Sequence, residues 1–302
     1  MARIWSCVGV VCLFSALLVS SVAGASLAAR TVPEGRVVTL KLPSAPFPHP
    51  ARARGYTYQG THYPADPCYS DSSVAVFIPS GFRAAGPVNL VFFFHGWNSS
   101  VEEASRGFEL YRQFSQSGVN ALLVVPELAR EAPDSFAGKL EEAGGFARLV
   151  GDLLQGLRSR GVIAQPGPGS IVLAGHSGAY RVIAQILRQG GLAGHIREVY
   201  LFDALLDWED VFARWIEGGG GRFVSVDAAA SETSSYVQSL LDLLRGAHVG
   251  VTVAPDEPSA DRRGLRSRSR VVFLQSPFDH YGVVAGRDEL RRILSTSASL
   301  GS

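Results

Sequence analysis

The sequence predicts an α/β fold with a mostly parallel central sheet and helices on both faces. Three observations carry that prediction. From about residue 36 onward, short apolar runs alternate with longer stretches of helical periodicity. Several of the runs are continuously apolar instead of alternating, the pattern of strands buried on both faces of a parallel sheet. Residues able to do chemistry recur directly after the runs, where a parallel sheet gathers them along one rim.

The apolar runs fall at 37–42, 74–79, 88–94, 121–126, 171–174, 199–202, 223–226 and 271–274. Helical patterns lie at 101–116, 140–158, 179–188, 208–216, 236–244 and 287–294. Ser99 or Ser100 caps the first of these, with Glu102 and Glu103 in the opening turn. The stretch 37–94 holds no helix, so its strands are expected to be antiparallel and to lead into the parallel part. The proline-rich residues 43–50 and the tract 54–70 read as an irregular wrap around the domain. The expected organisation is a leader at 1–25, a wrap with the first strand at 26–72, and one catalytic domain at 73–302.

The leader begins Met1-Ala2-Arg3, continues almost wholly apolar to Val22, and ends in the small residues Ala23-Gly24-Ala25. That is the layout of a secretion signal, with the mature start near Ser26 and a secreted or periplasmic location; an uncleaved membrane anchor is the competing reading. The full chain of 302 residues has a formal net charge of +1. Arg3 is the leader's one charged residue, so the mature chain carries 27 basic and 27 acidic side chains. A neutral chain has no field to draw it to nucleic acid or to an anionic membrane. Two of the three cysteines lie in the leader, which leaves Cys68 as a small packed side chain. Metal-ligand spacings such as C-x-x-C are absent, and neither metal nor organic cofactor is expected.

The strand ends carry His95-Gly96-Trp97-Asn98, Glu127, Gly175-His176-Ser177-Gly178, Asp203, Asp227 and Asp279-His280. Gly175-His176-Ser177-Gly178-Ala179 nearly matches the nucleophile-elbow pattern G-x-S-x-G, with alanine at the last position. The turn needs small residues two before and two after the serine, because those positions press on the neighbouring strand and helix. Alanine meets that need. Helical spacing follows at once through Ala179, Val182, Ile183 and Ile186. A dinucleotide-binding loop would need G-x-G-x-x-G, and here Ser177 and Tyr180 occupy the second and third glycine positions. That reading fails, and Ser177 is the candidate nucleophile.

Together the elbow, the HGWN stretch and the late His280 resemble the α/β-hydrolase superfamily over roughly residues 74–294. GHSGAYRVIAQIL followed by LFDALL is more narrowly similar to a group of secreted bacterial hydrolase-like proteins. The resemblance implies His280 as the base, since it follows the last strand and precedes the last helix. His176 adjoins Ser177, but neighbours across a sharp elbow point apart, and His95 is assigned to ordering its own loop. For the acid, the superfamily most often uses the end of the strand two after the elbow strand, here Asp227. A minority uses the next strand, here Asp203. Asp203 ends a fully apolar run, so it is expected to be buried with a partner, and it is preferred, with Asp227 as the alternative. The backbone N–H groups of Trp97 and Gly178 would form the oxyanion hole.

Only one helical pattern and Gly218–Gly221 separate Asp203 from the next strand, which leaves no room for a large lid domain. An uncapped site suits a bulky, polar or polymeric acyl-bearing substrate. The connection 127–138 is expected to wall the cleft. Arg262, Arg263, Arg266, Arg268 and Arg270 read as a solvated loop at the opposite end of the sheet. The expected function is a secreted serine hydrolase that cleaves a carboxylic ester or related acyl bond through an acyl-enzyme. A peptidase or amidase on the same residues, and a hydrolase-fold protein that only binds, are the alternatives. Oligomeric state and substrate identity leave no trace in the sequence.

Overall fold

The computed structural model describes residues 29–84, 86–165, 167–229, 231–256 and 269–301. The leader at 1–25 and Arg262, Arg263, Arg266 and Arg268 lie outside them. The strands are β1 (Arg30–Val32), β2 (Gly35–Lys41), β3 (Tyr56–Tyr58), β4 (Thr61–Tyr63), β5 (Ser73–Pro79), β6 (Val88–Phe94), β7 (Leu122–Pro126), β8 (Pro168–His176), β9 (Ile196–Phe202), β10 (Arg222–Asp227), β11 (Val251–Pro255) and β12 (Val271–Gln275). The main helices are α1 (Val101–Gly107), α2 (Leu110–Gln116), α3 (Gly145–Ser159), α4 (Tyr180–Gln189), α5 (Glu209–Glu217), α6 (Ser234–Gly246), α7 (Gly282–Ala285) and α8 (Glu289–Leu294).

Ten strands form one sheet in the order β1-β2-β5-β7-β6-β8-β9-β10-β12-β11. From β7 to β11 every neighbouring pair is parallel, while β1, β2 and β5 join antiparallel at one edge. The antiparallel opening holds for β2 and β5. β6, which the sequence places in the same opening stretch, instead pairs parallel with both β7 and β8, because helical crossovers (α1 and α2, then α3) return the chain between these strands. The continuous apolar runs are explained by burial on both faces. In β6, Phe92 and Phe94 enter one hydrophobic cluster while Val91 and Phe93 enter the other; in β8, Ile171 and Leu173 oppose Val172 and Ala174. Helices α3 to α6 cover the first face through side chains such as Leu153, Ile183, Phe212 and Leu240. Helices α2, α7 and α8 cover the second through Phe114, Val283 and Leu290.

Three expectations are refined. The pattern at 101–116 is two helices, because Glu109 takes a left-handed conformation (φ +48°) between α1 and α2. The tract at 54–70 is not wholly irregular, since β3 and β4 pair as a small antiparallel hairpin. Arg270 is exposed, as expected of a solvated loop residue, and its guanidinium is also engaged: it donates to the carbonyls of Ile216 (2.8 Å) and Gly221 (3.0 Å), closing the turn after α5. Cys68 is buried, as expected, in a small cluster with Phe47, Tyr69, Ala129 and Ala132.

Of the two serines suited to cap α1, Ser100 does so, its Oγ accepting from the Glu103 N–H at 3.2 Å. The hydroxyl is buried, so water cannot replace it. Ser100→Ala is therefore expected to lower unfolding stability by about 1 kcal/mol. Urea titration should show an earlier midpoint with an unchanged slope.

Candidate active site

β8 runs apolar to His176, and the chain then turns sharply, with Ser177 at φ +56° before a single 3-10 turn leads into α4. Two close approaches permit the turn. A Cβ on Gly175 would stand 2.7 Å from Ala179 Cβ, and a Cβ on Gly96 would stand 2.7 Å from Ser177 Cβ. Both distances are shorter than any carbon–carbon contact, so glycine is required at 175 and 96 and a small residue at 179.

Asp203, at the end of β9, is 1% exposed. Its Oδ2 lies 2.6 Å from His280 Nδ1, on the loop between β12 and α7. Its Oδ1 accepts from the Ala228 N–H (3.1 Å) and from Thr233 Oγ1 (2.9 Å). Burial alone would raise the carboxyl's pKa, but hydrogen bonds from His280, Ser231, Ala228 and Thr233 outweigh it and hold the group below its ordinary value. An ionised carboxylate accepts, so His280 Nδ1 carries the hydrogen and Nε2 is the basic nitrogen.

Asp227 makes no hydrogen bond with His280. Its Oδ1 instead accepts from Ser225 Oγ at 2.8 Å. Burial, joined by the charge of Asp203, pushes its pKa up to about 7. Of the two aspartates the sequence proposes, the structure brings Asp203 to the imidazole.

Among the described residues the Trp97 N–H has no backbone acceptor, and Gly178 lies in the first turn of the 3-10 segment, where N–H groups lack one. His95 orders the loop that presents Trp97: its Nε2 stands 3.1 Å from both Glu127 Oε1 and the Leu128 nitrogen, and its Nδ1 is 2.9 Å from the Gly96 carbonyl. The indole of Trp97 donates to Ser135 Oγ (2.7 Å), on the connection predicted to wall the cleft, and meets Tyr58 of the hairpin edge-on at 5.4 Å.

Ser177, Trp97 and His280 line two open clefts. One, about 650 Å³, continues past Arg106, Phe108 and Tyr281. The other, about 860 Å³, continues past Tyr180, Leu206 and Tyr236. Ser177 Oγ makes no hydrogen bond among the described residues. Sequence reasoning missed His176. Its buried ring packs between Phe108 and His280, and its Nε2 lies 2.7 Å from the His280 carbonyl. The available clue was an ionisable residue at the end of an apolar strand, the same clue that marked Asp203.

No protein-family model matches the chain, and no curated protein does. Among solved structures, the S-formylglutathione hydrolase from Agrobacterium tumefaciens aligns with a TM-score of 0.54 at 12% identity, over 91% of this chain and 99% of that one. A ferulic acid esterase aligns at 0.55 with 11% identity, over 88% and 98%. The feruloyl esterase module from Clostridium thermocellum, complexed with sinapinate, aligns at 0.55 with 11% identity, over 90% and 92%. At such identities the likeness speaks to architecture, and the chain has the α/β-hydrolase fold.

The raised pKa of Asp227 has a measurable consequence. Its folded-state pKa lies above the unfolded value of 3.8, so the folded state binds the extra proton and stability falls as pH rises from about 4 through 7. Asn at this position can still accept from Ser225 without ionising. Asp227→Asn is therefore expected to stabilise the protein by about 1 kcal/mol or more at pH 8, a gain that fades towards pH 4. Chemical denaturation at both pH values checks it.

Proposed function

We propose that this protein is a serine hydrolase that cleaves a carboxylic ester or related acyl bond through an acyl-enzyme. The observation that carries the reading is the 2.6 Å contact between His280 Nδ1 and buried Asp203, beside a serine held on a strained elbow in the same cleft. Ser177 Oγ attacks the acyl carbon while His280 Nε2 takes its proton. The charge that develops on the carbonyl oxygen is met by the N–H groups of Trp97 and Gly178. The imidazolium, stabilised by Asp203, then protonates the leaving group. Water repeats the sequence on the acyl-enzyme, with the proton returning through His280 to Ser177.

Two further facts favour ester chemistry on a sizeable substrate. Solved structures that share this fold include an S-formylglutathione hydrolase and two feruloyl-type esterases. Among the described residues only Asp203–Trp208, α5 and a glycine turn separate β9 from β10, which leaves no room there for a lid domain over either cleft. The apolar leader at 1–25 supports export, and the intact mass of protein recovered from culture medium should begin near Ser26.

A fluorophosphonate serine probe should label the purified protein, and labelling should disappear in Ser177→Ala and His280→Ala. Asp203→Asn should reduce turnover of an activated ester by about 10⁴, the usual cost of a mis-set imidazole tautomer. Asp227→Asn should stay within a few-fold of the parent. Absence of labelling in well-folded parent protein would refute the hydrolase reading, and equal losses in the two aspartate variants would refute the assignment of the acid.

A further inference from the structure

The loop that carries His280 comes from β12, which lies three places from the serine strand β8 in the sheet, with β9 and β10 between. Asp203 fixes the imidazole of His280, but a hydrogen bond to one ring nitrogen leaves the backbone beneath it free to shift. The ring of His176 occupies that place. It is 3% exposed, its centroid is 4.5 Å from that of His280, and it also touches Phe108 (4.9 Å) and Tyr281 (5.7 Å). Its Nε2 lies 2.7 Å from the His280 carbonyl oxygen. A carbonyl only accepts, so Nε2 carries the hydrogen.

We propose that His176 is a positioning residue: its Nε2–H clamps the His280 carbonyl to the serine strand and so fixes the distance from the His280 imidazole to Ser177. The neighbouring loop contacts fit that role. Ala229 N–H holds the Phe278 carbonyl at 3.1 Å and Ser276 N–H reaches the Asp227 carbonyl at 2.8 Å, so β10 anchors the start of the loop and His176 anchors its working end. The clamp is also electrically quiet. Burial first, then the neighbouring His280, push the His176 pKa down to about 4, so at neutral pH it adds no positive charge beside a base that must become cationic.

The kinetic consequence rests on the hydrolase reading; the geometric one does not. The test compares His176→Phe, which keeps a ring against Phe108 and Tyr281 but has no donor, with His176→Gln, whose amide can still reach the carbonyl. In H176F, kcat on an activated ester should fall about 10- to 100-fold with KM little changed, as expected when a reacting group is misplaced. H176Q should stay within about threefold of the parent, with both variants unfolding cooperatively. Proton NMR supplies a readout independent of turnover: the low-field proton shared by His280 and Asp203, assigned by its absence in His280→Ala, should broaden or vanish in H176F and persist in H176Q. If H176F keeps that proton and the parental rate, or if the two variants are equally impaired, the clamp is refuted. If the parent neither labels nor turns over esters, the hydrolase reading falls, and the proton signal alone decides the clamp.

Discussion

Everything at the candidate site depends on one backbone constraint, the left-handed turn that lifts Ser177 off the end of β8. An L-residue at φ +56° costs on the order of 1–3 kcal/mol, and it persists only where its surroundings leave no alternative. Here the surroundings are a strand hydrogen-bonded on both sides and a helix that starts within three residues. Asn98 after β6 and Asp203 after β9 share the same region of φ, at +50° and +44°. Strain thus sits at the ends of three adjacent strands, the ones that present Asn98, Ser177 and Asp203; the proposed mechanism uses Ser177 and Asp203 together with Trp97, the neighbour of Asn98. The sheet over-determines these turns because both its faces are packed.

Sheet order explains the division of labour between the two aspartates. Asp227 ends β10, which lies between β9 and β12 and is the shorter route to His280. Yet its side chain is engaged by Ser225, two residues back on the same strand face, and burial favours its neutral form. Asp203 sits one strand further away but leaves its strand in a left-handed conformation, and several donors surround its carboxylate. The acid of the proposed mechanism has to be ionised to stabilise an imidazolium; the environment of Asp203 favours its ionised form, where burial of Asp227 opposes it.

Much of this was legible in the sequence because burial on both faces writes itself as continuous apolar runs, and an ionisable residue ending such a run must have a reason to be there. The same logic explains what was not legible. β11 reads VTVAP and exposes Val253 at 59%, so an edge strand with one wet face leaves no apolar run. β1, β3 and β4 are three residues each, too short for any periodicity. The break at Glu109 did leave a signal, Gly107 at the end of α1, but Glu102 and Glu103 before it and the apolar spacing on either side let 101–116 read as one helix. His176 was passed over because the elbow turns it away from Ser177. That inference was sound locally, but the direction it points, towards the loop of His280, is set by a contact 104 residues away in the chain.

The contacts of the N-terminal wrap show what it braces. Arg52 is bound to Asp134 at 2.7 Å and lies 4.6 Å above the rings of both Tyr56 and Phe136. Lys139 donates to the Pro43 carbonyl at 2.8 Å. The wrap therefore grips the connection after β7 from two sides. That connection holds Ser135 against the Trp97 indole, and the Asn98 N–H bonds the Ala132 carbonyl at 3.1 Å. Tyr58 braces the same indole from the hairpin. The wrap thus braces the loop that presents the Trp97 N–H, which the proposed mechanism uses to meet the negative charge developing on a carbonyl oxygen. Preorganised donors stabilise that charge because they need not reorient. A lid secures this by closing over the substrate. In the proposed reaction this chain would secure it instead by bracing the loop that carries Trp97, while the two clefts lined by Ser177 stay open to solvent.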